Sequence, residues 1–197
     1  APNFHHGVGA AAVRGWLAAL AGDARLSLYL HVPFCDRLCW FCGCHTTITQ
    51  RSERVHAYAG LLAREIDLVA AALPGRVGVS HMHWGGGTPT ILPPALICRL
   101  SAAIRSVFAP TDDFEFSVEI DPTMVDRPKI DALAAEGMTR ASIGIQDFDP
   151  IVQKAIGRLQ PFEITRTCVA DLRAASITSL NTDLVYGLPH QTVARQA

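Results

Sequence analysis

An α/β fold, in which helices wrap a parallel sheet, is predicted for this 197-residue chain by three observations. Short apolar segments alternate with longer segments of helical periodicity, which is the pattern of strands joined by right-handed crossovers. Glycine and proline stand where those segments should stop. Each polar group able to do chemistry lies at or just beyond the C-terminal end of a predicted strand. That placement favours a (β/α) barrel over an open doubly wound sheet, because barrels build their reactive face from those ends.

The first helix is expected over residues 10–20, with Val13, Leu17 and Leu20 on one face and Gly22 as its stop. Residues 28–32 form the first strand, which Pro33 ends. A helix over 53–72 repeats Leu61, Leu62, Ile66 and Val69 at helical spacing and stops before Pro74-Gly75. The second strand spans 79–84. A helix over 93–108, a strand over 114–120, a helix over 127–136 closed by Gly137 and a strand over 140–145 continue the alternation. Helices over 149–157 and 162–175 precede the fifth strand, at 180–185. Residues 1–26 are read as an N-terminal helical segment and 27–197 as the (β/α) unit proper.

Composition excludes several classes. The net charge is −1 and lysine occurs only at Lys129 and Lys154, whereas a nucleic-acid footprint needs clustered cations. Apolar residues make up 49% of the chain. Charges nevertheless interrupt every apolar stretch before the ~18 residues that a membrane-spanning helix needs. No charged leader followed by an apolar run and a small-residue cleavage site opens the chain, so a cytoplasmic protein with free thiols is expected. The His5-His6 pair reads as an incidental surface feature.

Four of the six cysteines fall within ten residues, Cys35-Asp36-Arg37-Leu38-Cys39-Trp40-Phe41-Cys42-Gly43-Cys44. Thiolates are soft ligands, so such crowding points to an iron–sulfur cluster or zinc. Structural zinc usually takes two short-spaced pairs well apart in the chain, and Cys98 and Cys168 stand alone. The C-x3-C-x2-C spacing lets Cys35, Cys39 and Cys42 each hold one iron of a [4Fe–4S] cube. The fourth iron is then left without a protein ligand and open to chemistry. Cys98 and Cys168, within helical patterns, read as small buried hydrophobes.

The run Gly85-Gly86-Gly87-Thr88-Pro89 follows the second strand; its glycines let a ligand approach the main chain and Pro89 fixes the exit. It lacks the Lys-Ser/Thr ending of a phosphate loop and the G-x-G-x-x-G of a dinucleotide fold. In the third strand, alternation puts Phe114, Phe116, Val118 and Ile120 on one face and Glu115, Ser117 and Glu119 on the other. A carboxylate at the end of a strand covered on both sides needs a partner, and a pair of ribose hydroxyls suits Glu119. Gln146, Arg158 and Asp183 follow later strands, positions that neighbouring backbone can satisfy as well as a ligand can. His31, His81 and His83 read as core or near-core histidines with hydrogen-bonded partners, not as metal ligands.

Six blocks then stand in a telling order: His31-Val32-Pro33-Phe34-Cys35, Phe41-Cys42-Gly43-Cys44, His83-Trp84-Gly85-Gly86-Gly87-Thr88-Pro89-Thr90, Val118-Glu119-Ile120-Asp121-Pro122, Gly144-Ile145-Gln146-Asp147-Phe148 and Asp183-Leu184-Val185-Tyr186-Gly187-Leu188-Pro189. With them the chain resembles the oxygen-independent coproporphyrinogen III oxidases (dehydrogenases), a family of radical S-adenosylmethionine (SAM) enzymes. The resemblance implies a partial, six-unit (β/α) barrel of the radical-SAM type. Five of its strands are present here, and the rest is expected beyond residue 197.

The resemblance also implies a [4Fe–4S] cluster on Cys35, Cys39 and Cys42 and two SAM molecules. Tyr29 and Gly86 face the first SAM, with Glu119 on its ribose. Phe41, Gly87, Thr88, Gln146, Arg158 and Asp183 meet the second, and Arg158 has the alternative of pairing with a propionate. Gly86, Gly87 and Thr88 form the turn that holds the methionyl end. Cys44 is implied not to ligate the cluster, and its presence separates coproporphyrinogen enzymes from heme-chaperone paralogues. The implied reaction turns two propionates of coproporphyrinogen III into vinyl groups, with loss of CO2, through a 5′-deoxyadenosyl radical. An electron donor such as flavodoxin or ferredoxin and a monomeric state are implied as well. Two rival readings remain: a heme-binding or heme-transfer paralogue, against which Cys44 and Gln146-Asp147-Phe148 weigh, and a zinc-stabilised interaction domain.

Overall fold

Alternating side chains of opposite character create the sheet's two faces, and the helices cover only one of them. The computed structural model describes residues 7–196, so the His5-His6 pair lies outside the described residues. In chain order the elements are α1 (Ala10–Ala18), β1 (Arg25–Val32), β2 (Phe34–Cys35), β3 (Thr47–Ile48), α2 (Ser52–Ala70), β4 (Val77–Gly86), a 3-10 turn (Pro89–Ile91), α3 (Pro94–Val107), β5 (Phe108–Ile120), α4 (Arg127–Ala135), β6 (Arg140–Gln146), α5 (Pro150–Ala155), α6 (Phe162–Ala174), β7 (Ser179–Leu184) and α7 (Val193–Gln196).

Strands β1, β4, β5, β6 and β7 form one parallel sheet in that spatial order. A doubly wound sheet reverses its strand order at a switch point, whereas an order that follows the sequence keeps every right-handed crossover on the same face. The observed order therefore decides for the barrel type. Helices follow suit: α2 packs on α3, α3 on α4 and α4 on α6. β1 and β7 are the edges, so these strands make an arc of a barrel.

The convex face carries the core. Leu30, Val32, Met82, Trp84, Phe116, Val118, Ala141 and Ile143 point to it and are buried against Leu62, Ile66, Ile97, Leu100, Ile130 and Leu172 from the helices. Full burial of one such aliphatic side chain contributes ~1.5–3 kcal/mol. Chain punctuation fixes the helix starts. Asp126 accepts a hydrogen bond from Lys129 N ahead of α4, and Asp149 accepts from Ile151 N and Val152 N ahead of α5, where Pro150 needs no donor partner.

Three sequence expectations need correction. The first helix stops at Ala18, before Leu20 and Gly22, and none of its residues is buried. Cys98 is exposed, because the buried face of α3 runs through Leu96, Ile97, Leu100 and Ile104 and leaves position 98 off that face. Cys168 is buried as expected. The third strand begins at Phe108, six residues earlier than residue 114. Its first residues pair with Val77–Val79 before the ladder shifts register, passing from Val79 opposite Pro110 to His81 opposite Glu115.

Candidate functional site

Strand alternation gives the concave face its polar character. Tyr29, His31, His83, Ser117, Glu119, Ser142, Gly144, Asn181 and Asp183 occupy the positions between those that feed the core. They bond laterally. His83 Nδ1 lies 2.7 Å from Ser117 Oγ and Nε2 lies 3.3 Å from Glu119 Oε1, while its ring stacks on Tyr29 at 5.7 Å. Ser142 Oγ donates to Asp183 Oδ2, and Asn181 Nδ2 donates to Ser142 Oγ and Asp183 Oδ1. All three histidines stand on the uncovered face of the sheet, each with a partner: His31 and His83 are half-buried, near the core as expected, whereas His81 is exposed, which corrects that expectation for position 81.

The cysteine loop is closed by short backbone ladders that no periodicity announces. After Pro33 the chain pairs β2 with β3, and Thr47 N and Thr49 N donate to Pro33 O and Cys35 O across the neck. On the other side the glycine turn docks on the same stretch, through Gly87 N to Val32 O and Thr88 N to Phe34 O, both at 2.8 Å. A Cβ on Gly87 would stand 2.7 Å from Phe34 O, so only glycine permits that approach. Gly86, at φ +113°, adopts a backbone that side chains rarely allow. The far side of the loop is held by Trp40 N donating to Ile156 O at 2.9 Å. Phe41 packs into a small second core with Val152, Ile156 and Leu188.

A cavity of about 220 Å³ opens between this loop and the strand ends. Cys35, Cys39 and Cys42 line it together with Phe41, Gly86, Gly87 and Thr88. Glu119, Gln146 and Asp183 from the later strands, and Arg158 from the segment between α5 and α6, reach the same space. Eleven of the twelve residues singled out from the sequence therefore converge on one cavity. The twelfth, Tyr29, lies across His83 from Glu119 and lines a neighbouring, mostly apolar cavity beside α2.

Each of the three sulfurs of the C-x3-C-x2-C pattern is met by a donor from outside itself. Thr88 Oγ1 donates to Cys35 Sγ at 3.4 Å, Arg158 Nη1 to Cys39 Sγ at 3.6 Å, and Cys44 N to Cys42 Sγ at 3.4 Å. Such bonds favour thiolates and orient them, as the surroundings of metal-bound sulfur do. Among the described residues no group of three or more His, Cys, Asp or Glu converges tightly enough for a single metal ion. Three thiols lining one cavity suit an iron–sulfur group with one iron per sulfur. Burial pushes the Cys35 thiol up, against the opposing bond from Thr88. Burial first, and the neighbouring Cys42 after it, push the Cys44 thiol up to about 11.

Glu119 is oriented before any ligand arrives. Its Oε2 accepts from Gly86 N at 3.1 Å while Oε1 faces His83. Gln146 ends β6 with φ +71°, a conformation seldom held by a residue with a side chain, and its carbonyl accepts from Val185 N. Arg158 is buried and already heavily engaged. Nε donates to Gln160 Oε1, Nη2 to Gly144 O, and Nη1 lies 3.2 Å from Asp121 Oδ2 as well as against Cys39. Asp121 also pairs with Arg37 Nη2 at 2.7 Å and accepts from Thr123 through Oδ1.

Sequence reasoning did not single out Asp121, Arg37 or Gln160. A signal for Asp121 existed, since a carboxylate in an apolar run before proline, Ile120-Asp121-Pro122, has to be paired when buried.

Comparison with known proteins agrees with this geometry. The family model of the radical SAM superfamily matches residues 29–195. The chain belongs to the radical SAM superfamily. Membership brings a [4Fe–4S] cluster and SAM as cofactors, and the three-thiol ring with its outside donors fits the cluster. Among curated relatives of this radical SAM chain, an oxygen-independent coproporphyrinogen III oxidase from Cereibacter sphaeroides (strain ATCC 17025 / ATH 2.4.3) is 59% identical over 97% of the chain and 42% of the relative. A protein of the same name from Paracoccus denitrificans is 50% identical over 100% of the chain and 44% of the relative. The solved coproporphyrinogen III oxidase of Escherichia coli, described as a radical SAM enzyme, superposes with a TM-score of 0.89 at 39% identity, over 95% of this chain and 43% of that one. The chain spans less than half the length of these relatives. Among the described residues no helix is long and apolar enough to cross a membrane.

Proposed function

We propose that the chain supplies the cofactor-binding part of an oxygen-independent coproporphyrinogen III oxidase. In this reading the protein oxidatively decarboxylates two propionates of coproporphyrinogen III to vinyl groups, giving protoporphyrinogen IX. The observation that carries the reading is the single cavity on which three hydrogen-bonded thiols, the glycine turn, three polar strand-end residues and Arg158 converge. The relatives' names support the choice of substrate.

Cys35, Cys39 and Cys42 hold the cluster. Gly86, Gly87 and Thr88 receive the methionyl end of SAM, and Glu119, preset by Gly86 N and His83, meets the ribose. Gln146, Asp183, Phe41 and the remaining Nη2 hydrogen of Arg158 face a second SAM molecule. When bound, cluster and SAM together would supply a carbon radical that removes one hydrogen atom from each propionate, whose loss of CO2 and of one electron to an electron acceptor leaves the vinyl group. The chain's own groups orient that chemistry and keep water from it. A buried Arg158 committed to Asp121 and Cys39 favours this role over pairing with a propionate. The electron comes from a flavodoxin- or ferredoxin-like donor, in the cytoplasm, to a monomer in which residues 27–197 form the catalytic unit and α1 precedes it.

The test is anaerobic. Reconstituted protein given dithionite, SAM and coproporphyrinogen III should release methionine, 5′-deoxyadenosine and CO2, and Cys39→Ala should abolish all three. SAM cleavage without vinyl formation would remove the decarboxylase reading and leave the heme-transfer paralogue.

A further inference from the structure

Among the described residues three donors meet the sulfurs of Cys35, Cys39 and Cys42, and of these only Arg158 carries a charge. The others are a hydroxyl and a backbone amide. The guanidinium is held from several sides, by Gly144 O, Gln160 Oε1 and Asp121 Oδ2, and its side chain is 9% exposed, as is that of Asp121. Gln160, fully buried, is itself fixed by Gln153 and Thr165. A cation with so many independent anchors and so little solvent acts on the adjoining sulfur at full strength, because water screens it poorly. Its counter-charge is not private. Asp121 Oδ2 also takes Arg37, which lies inside the cysteine loop and shares Asp36.

We propose that this buried pair sets the reduction potential of the cluster: Arg158 raises it through its charged N–H···S bond to Cys39, and Asp121 restrains that effect as the counter-charge. Taking up one electron adds a negative charge to the cluster. A cation bonded to a ligand sulfur favours the reduced form, and a nearby carboxylate opposes it. The inference rests on Cys39 being a cluster ligand, as proposed above.

The experiment is a redox titration of the reconstituted protein, followed by the paramagnetic signal of the reduced cluster, with iron counted in every sample. Arg158→Gln is expected to lower the equilibrium constant for reduction about tenfold, ~59 mV for a one-electron couple. Asp121→Asn keeps the acceptor oxygen and leaves Arg158 held by Gly144 and Gln160, and is expected to raise the constant by a similar factor. Opposite signs at equal iron content mark electrostatic control, since mere loosening of the loop moves both variants in the same direction. Equal potentials, or shifts of one sign, overturn the proposal. Should Arg158→Gln fail to take up iron, Asp121→Asn decides alone: a rise of about tenfold supports the proposal, and an unmoved or lowered potential overturns it. Unsubstituted protein that takes up no iron overturns the ligand reading and this inference with it, and that result is visible before any variant is made.

Discussion

Replacing Gly87 with alanine tests the idea that the glycine turn is the clamp that positions the cysteine loop. The new Cβ would stand 2.7 Å from Phe34 O and 2.9 Å from Phe34 C and N, all backbone atoms that no rotamer change can remove. Reaching ordinary contact at 3.4 Å requires a movement of about 0.7 Å. That movement stretches two bonds of 2.8 Å, Gly87 N to Val32 O and Thr88 N to Phe34 O, and drags Cys35 with it. Overpacking costs ~1–3 kcal/mol and each lost hydrogen bond ~0.5–1.5 kcal/mol, so with two bonds affected a destabilisation of about 2–6 kcal/mol is expected. For a chain of this size, ~2–4 °C accompanies each kcal/mol, which makes the fall in melting temperature about 4–24 °C. Calorimetry of the iron-free protein reads the stability, and iron per chain after reconstitution reads the loop, where a clear loss is expected. A melting temperature within about 2 °C of the parent, with full iron content, would refute the clamp.

Three further predictions concern stability alone. Gly60 lies in the middle of α2 with nothing within 4 Å of an added Cβ, so Gly60→Ala should stabilise by ~0.4–1 kcal/mol in urea unfolding; destabilisation would contradict the helix geometry. Asp149→Ala removes the cap that accepts from Ile151 N and Val152 N and should cost ~1 kcal/mol in the same assay, whereas no change would show the cap to be idle. Burial, seconded by Asp171, raises the Cys168 thiol from about 9 to about 12. Between those values only the unfolded chain ionises there, so this contribution is intact below pH 9 and falls away towards pH 12, by at most ~1.4 kcal/mol per pH unit. Unfolding curves across that range should be flatter with pH for Cys168→Ala, and equal slopes would show that the buried thiol is not the cause.

The sheet was legible wherever one side chain in two feeds a core. Alternation in Phe114–Ile120 marked both the strand and the face on which Glu119 stands, and Arg140–Gln146 was read to within one residue. The earlier part of β5 was not legible, because Pro110 and Asp112-Asp113 look like a turn and the ladder there breaks its register. β2 and β3 are two residues each, too short for any period, yet they close the neck of the cysteine loop. Cys98 shows the limit of reading helices by composition: an apolar residue belongs to the core only at the right phase, and neighbours 97 and 100 took it.

At the site, residue types and spacing gave the thiols and the glycine turn. What spacing could not give is who touches whom. Arg158 was read as a ligand contact, but its bonds to Cys39 and Asp121 join chain positions 119 and 37 residues away, and only the fold brings them together. Tyr29 stands one stacked ring removed from the cavity for the same reason, since its place is set by the register of β1 against β4.

Iron counting with paramagnetic resonance on cysteine variants addresses the three-thiol site most directly. Anaerobically reconstituted protein and Cys44→Ala should both carry about four irons per chain, with a reduced signal that changes when SAM is added. Cys35→Ala, Cys39→Ala and Cys42→Ala should each lose the cluster. If Cys44→Ala loses iron as completely as these three, or if SAM leaves the signal of the intact protein unmoved, no iron is open and the account fails.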